Sequence, residues 1–145
     1  MPRGGGARTR VRFARFRLTL YTFNDIFGLV NILPTNLFAA LSHDTRLRCM
    51  LLLAYKEMCV CELTGAIGAA QPHMSRHLAQ LREAGLVLDR RDGLWIHYRI
   101  NPGLPEWVLA VLDKAAQGVE GVQPYDADLA ALTESTGRLG RSRCA

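Results

Sequence analysis

Between Cys61 and Ile100 the hydrophobic period switches from helical to extended, and few folds accommodate the order in which it does so. Met74, Leu78 and Leu81 form an apolar stripe at helical spacing, while His73, Arg76, His77 and Gln80 fall at i, i+3, i+4 and i+7 on the other side. Pro72 suits a first helical turn, where its missing N–H has no intrahelical partner, and Gly85 suits the C′ position that ends the helix. Ahead of it, Gly68-Ala69-Ala70 supplies a tight connection from a shorter helix over about Cys61 to Ile67. Behind it, Leu86-Val87-Leu88 and Leu94 to Ile100 read as two strands joined through Asp89-Arg90-Arg91-Asp92-Gly93. An Asp-Gly pair between β-formers is a strong hairpin signal. Helix, short turn, helix, basic hairpin is the order of a winged helix-turn-helix, mainly α with a two-stranded β wing.

The flanks complete one domain. Thr35 is read as the cap of a short helix carrying Leu37, Phe38 and Leu41, and Ser42 as the cap of a second with Leu47, Met50, Leu51 and Ala54 at i, i+3, i+4 and i+7. Cys49, Leu52 and Leu53 make that second helix apolar on nearly every side, which predicts the buried centre of the fold. Pro102 and Pro105 stop the second strand, and Glu106 to Ala116 restart a helix. The domain is therefore drawn over 31–118. Residues 1–30 are read as a disordered Arg-rich extension or non-native start rather than a phosphate-contacting arm, and 119–145 as a loose tail with a helical patch around Asp126 to Leu132.

Charge alone does not establish a nucleic-acid partner. Of the 18 Lys and Arg, six (Arg3, Arg8, Arg10, Arg12, Arg15 and Arg17) precede the first acid, Asp25; without residues 1–17 the rest carries 12 basic against 13 acidic groups. A net −1 moves the argument from pI to local motifs. The apolar stretch from Leu18 to Leu33 is broken by Asn24 and Asp25 and falls short of the roughly 20 apolar residues of a membrane span. A cytoplasmic protein is expected, with Cys49, Cys59, Cys61 and Cys144 as reduced thiols.

Two constellations carry chemistry. In a helix-turn-helix the second helix enters the major groove, where Arg pairs with guanine and Gln with adenine while hydroxyls hold phosphates. Gln71, His73, Ser75, Arg76, His77 and Gln80 are the candidates here, with Arg90 and Arg91 at the hairpin tip for phosphates or the minor groove. The second constellation is Cys59-Val60-Cys61, at the start of the helix that positions the groove helix. Thiolates select soft, thiophilic ions, and a helix N-terminus favours the thiolate form. Residues i and i+2 of an α-helix point about 200° apart but lie on one side of an extended chain, so two sulfurs on one atom require an unwound first turn. If operator DNA requires that turn intact, each ligand weakens the other. No nucleophile with a base, phosphate loop or placed carboxylate pair indicates an enzyme. A thiol-oxidation sensor and a protein-interaction module on the same fold are the competing classes.

LPTNLFAALSHDTRL, MCVCEL, QPHMSRHLAQLREAGL and RRDGLWIHYRI, spread between Leu33 and Ile100, resemble the ArsR family of arsenic-responsive repressors. The resemblance extends to about Ala116. It implies a homodimer joined through the first and last helices, a pseudo-palindromic double-stranded operator, no membrane partner, and arsenite or antimonite as an inducer held by Cys59 and Cys61. Zinc-sensing relatives use ligands on the last helix, and His43, His73, His77 and His97 all precede it here. The chain departs from the family at Ala70, where many relatives have a capping Ser, and at Thr64, where close relatives have a third Cys. Thr64 is a hard, weak substitute. Cys49, Cys144 or an external thiol or hydroxide are the alternatives for a third ligand.

Overall fold

The first helix begins at a proline. A computed structural model describes residues 31–137; the expectations for 1–30 and for Cys144 lie outside them. Leu33 is extended and Pro34 opens α1 (Pro34–Leu41), so Thr35 is inside the helix rather than its cap. Ser42 closes α1 instead of opening the next helix, its Oγ donating to the Ala39 carbonyl at 2.8 Å. His43 takes the cap of α2 (Asp44–Leu53), its Nδ1 accepting from the Thr45 N–H at 3.2 Å. The apolar surround predicted for α2 is met: Cys49, Met50, Leu52 and Leu53 are all buried.

Around α2 pack Leu37 of α1, Leu63 of α3 (Val60–Ile67), Met74, Leu78 and Leu81 of α4 (Gln71–Glu83), and Val108 and Leu112 of α5 (Glu106–Gly118). Gly85, at φ 78°, ends α4 as expected. Its N–H reaches the Arg82 carbonyl at 2.9 Å and that of Leu86 reaches Leu81 at 3.0 Å, the paired bonds of a Schellman motif. The chain then runs directly into β2 (Val87–Asp92).

The wing is longer than the sequence indicates, and the sheet has a third strand. β2 pairs with β3 (Trp95–Ile100) from Val87↔Ile100 to Asp92↔Trp95, leaving Gly93-Leu94 as a two-residue turn. Gly93 takes φ 60° and Leu94 does not go positive, which marks a type II′ connection. β1 (Met58–Cys59) pairs with the other edge of β3, giving the order β1-β3-β2. Two residues carry no readable period, so β1 leaves no trace in the sequence pattern.

The helical patch expected around Asp126 to Leu132 lies within α6 (Tyr125–Gly137), which is packed on α2 and α3 rather than loose. Its anchor is polar. Arg48 of α2 donates through Nε and Nη2 to both carboxylate oxygens of Asp128 at 2.7 Å, and through Nη2 to the Ile67 carbonyl at the end of α3, at 3.2 Å. The two side chains are 13% and 4% exposed. Leu132 is buried beside them, and Tyr125 donates to Asp44 at 3.0 Å. No described helix is long and apolar enough to cross a membrane.

Removing one partner of a buried, bidentate pair strands the other charge. Asp128→Ala is expected to cost about 3–5 kcal/mol in urea unfolding. A loss below about 1 kcal/mol, as for an exposed pair, would show that α6 lies outside the cooperative unit.

Candidate functional site

The geometry of the helix pair comes from its turn. Gly68 takes φ 78° and its N–H bonds to the Thr64 carbonyl at 2.8 Å, closing α3. Ala70 is then the N-cap of α4 without a side-chain acceptor, as its methyl dictates. With Met74, Leu78 and Leu81 fully buried, the opposite side of α4 faces outward: Gln71, His73, Ser75 and Arg76 are exposed.

Two of the predicted contact residues bond to α2, His77 partly buried and Gln80 still exposed. Arg46 of α2 donates from Nη1 to the Gln80 Oε1 at 2.7 Å and lies 3.5 Å from His77 Nδ1. The same guanidinium caps α1, with Nε to the Ala40 carbonyl at 2.6 Å and Nη2 to Ala39 at 3.2 Å. His77 also stacks on His43, ring centroids 4.2 Å apart. Partial burial, with His43 and Arg46 alongside, lowers the His77 pKa and keeps the ring neutral. His77 and Gln80 thus belong to a polar staple joining α1, α2 and α4. The helical stripe placed them correctly on the polar side, but its edge faces α2. Arg46 escaped the sequence reading; its only signal is a polar position opening an otherwise apolar helix.

The wing arginines also separate. Arg90 is in the body of β2, where its Nε and Nη2 both reach the Glu57 Oε1, at 2.6 and 2.5 Å. Arg91 is exposed and has no ion pair among the described residues. Neither is at the tip, because the strands run on to Asp92 and Trp95; the tip is Gly93 and Leu94, the latter 94% exposed.

Cys59 is both the last residue of β1 and the N-cap of α3, in extended conformation at φ −79°, ψ 164°. Its sulfur accepts from the Glu62 N–H, while its own N–H donates to the Glu62 carboxylate at 2.9 Å, a capping box with sulfur in place of a hydroxyl. The side chain is buried, and burial pushes the thiol above its ordinary value; the Glu62 N–H offsets only part of this. The expectation that the helix start would favour the thiolate therefore fails at Cys59. Cys61 is two residues on, in the first turn of α3, half-buried. Cys49 and Cys59 carry free thiols.

Other ligand candidates are otherwise engaged. Cys49 is wholly buried, its Sγ 3.4 Å from the Met74 sulfur, and burial pushes its pKa to about 12, so it is a core residue. Thr64 donates its hydroxyl to the Val60 carbonyl at 2.7 Å. Among the described residues no three His, Cys, Asp or Glu side chains converge as a metal site.

Residues 43–88 match the family model described as bacterial regulatory protein, arsR family. The arsenic resistance transcriptional regulator ArsR1 of Pseudomonas putida is 55% identical over 80 residues, covering 54% of this chain and 62% of that protein. The arsenical resistance operon repressor of Escherichia coli is 49% identical over 85 residues, covering 58% and 73%. Among solved structures, HlyU of Vibrio cholerae superposes with a TM-score of 0.53 at 28% identity, over 57% of this chain and 87% of that one. The transcriptional repressor BigR of Xylella fastidiosa gives 0.50 at 35% identity, over 55% and 79%. The winged helix-turn-helix built by α3, α4 and the β2–β3 hairpin, with 49% identity to a relative of which it spans 73%, places this chain in the arsR family of bacterial regulatory proteins.

Proposed function

We propose that this chain is an operator-binding transcriptional repressor, released from DNA when trivalent arsenic or antimony bonds to Cys59 and Cys61. The observation that carries the reading is that Cys59 caps the helix on which α4 is seated. A ligand that draws the Cys59 and Cys61 sulfurs onto one atom competes with the Glu62 N–H for the Cys59 sulfur and, because Cys61 lies in the first turn of α3, pulls on that turn. That turn, through Leu63 and the Gly68 connection, sets where α4 presents Gln71, His73, Ser75 and Arg76. Operator and metalloid then select different states of one element. With Cys49 in the core and Thr64 bonded to Val60, a hydroxide or small external thiol completes the coordination. Leu33 and Phe38 at α1 and Trp107 on α5 are apolar and exposed, which supports a second copy of this chain as partner through those helices.

The chemistry balances without protons. Arsenous acid and two thiols give two S–As bonds and two waters, As(OH)3 + 2 Cys-SH → (Cys-S)2As-OH + 2 H2O. A divalent cation instead displaces a proton from each thiol. The raised Cys59 pKa keeps that group a thiol through neutral pH. In gel shifts with reductant, Cys59→Ser or Cys61→Ser is expected to bind operator but not to release it with arsenite, whereas Cys49→Ser releases normally. For the native chain the arsenite needed for half-release should stay nearly constant between about pH 6.5 and 7.5, while cadmium, as a probe divalent ion, should bind more tightly as the pH rises over that unit, because it must displace the Cys59 proton. Normal arsenite release by both cysteine variants would refute the site.

On the DNA side, Arg76→Ala is expected to weaken specific operator binding by about 1–3 kcal/mol with the fold intact. Unchanged affinity would remove α4 from the groove.

A further inference from the structure

β1 ties the cysteine site to the wing in register. Cys59 pairs with His97 on β3, and His97 pairs with Arg90 on β2. Residues directly opposite in antiparallel strands share a face, so Cys59, His97 and Arg90 form one cross-strand row. Glu57 precedes Cys59 by two residues, the spacing that returns an extended chain to the same face. Its Oε1 receives the Nε and Nη2 of Arg90 at 2.6 and 2.5 Å and lies 3.9 Å from His97 Nδ1. One carboxylate, at the entrance to the cysteine strand, thus holds Arg90 of β2 and stands beside His97 of β3. The partners are 28% and 51% exposed, and exposed ion pairs contribute little to stability. The value of the clasp lies in geometry: Arg's planar fork fixes the guanidinium where the carboxylate stands.

We infer that Glu57 is a positioning residue that transmits rearrangement at Cys59 to the wing, by holding Arg90 in the orientation of the metalloid-free state. The inference rests on the proposed metalloid site and deepens it. Opening the first turn of α3 shifts Cys59, which shifts Glu57 two residues away. Arg90 must then follow the carboxylate or lose it. Loosening of the wing therefore accompanies displacement of α4, so the metalloid acts on both candidate DNA-contacting elements at once.

The test compares the native chain with Glu57→Gln, which keeps the shape and removes the charge. Operator affinity is measured with and without arsenite under reductant, and hydrogen exchange of residues 87–100 is followed by mass spectrometry in the same two conditions. In the native chain arsenite should lower affinity about 5–150-fold, the usual range of allosteric coupling, and speed exchange in the wing. In Glu57→Gln the affinity ratio should fall below the native one, leaving the part carried by α4, and the wing should exchange at one rate with or without arsenite. Arg90→Gln should reproduce the exchange result, and the double variant should add nothing further. An arsenite response in Glu57→Gln equal to the native one, in either readout, overturns the role of Glu57 while leaving the metalloid site standing. Absence of any arsenite effect on the native chain overturns both.

Discussion

Cys59 is where an extended chain becomes a helix, and most of the molecule is placed by how that change is made. On one side its backbone belongs to β1 and pairs with His97. On the other its sulfur and N–H close a capping box with Glu62. Both demands are met only by a residue that is extended yet followed at once by helical backbone, the φ/ψ signature of an N-cap. The strand fixes α3 against the sheet, α3 fixes α4 through the Gly68 turn, and the sheet carries the wing. A sulfur in this position is a weak acceptor in a box usually made with a hydroxyl, so the junction holds together with less than it could.

The sequence pattern discloses the elements that have a period or a dedicated residue. α4 was legible through its two faces and its Gly85 stop, the hairpin through Asp92-Gly93, and the centre of the fold through an α2 apolar on nearly every side. Caps were misassigned by a residue or two, because Thr35 and Ser42 compete with Pro34 and His43, and only packing decides among neighbouring acceptors. β1, Arg46, Arg48 and Glu57 were not legible, for one physical reason. Each acts through a partner 31 to 80 positions away, as Arg46 does with His77, Glu57 with Arg90 and Arg48 with Asp128. Local spacing carries no information about such pairs. α6 was underestimated for a related reason: its attachment is a buried ion pair, which hydropathy scores as exposed surface.

The same pairs alter the electrostatic argument. The acidic balance of residues 18–145 appears unfavourable for DNA, but Arg48, Arg82 and Arg90 are spent on Asp128, Asp89 and Glu57 within the fold. Arg76 on α4 and Arg91 on the wing are exposed and have no ion pair among the described residues. Local potential at a recognition surface follows such uncompensated groups at least as much as net charge.

Cys59 is only 3% exposed, so in the proposed switch a metalloid would reach it only when the junction opens. Opening loses the capping box, a term of about 0.5–2 kcal/mol, and loosens the short β1–β3 pairing, at about 0.5–1.5 kcal/mol for each hydrogen bond broken. With one bond broken the sum is about 1–3.5 kcal/mol, of the same order as a typical allosteric coupling. A Ser or Asp cap would hold α3 more firmly but would forfeit the soft ligand. A junction much weaker than this one would leave α4 unseated without inducer. On the proposed function, cysteine at the N-cap would join two functions in one side chain: an adequate cap while the metalloid is absent, and a soft ligand that gives up the cap when the metalloid binds.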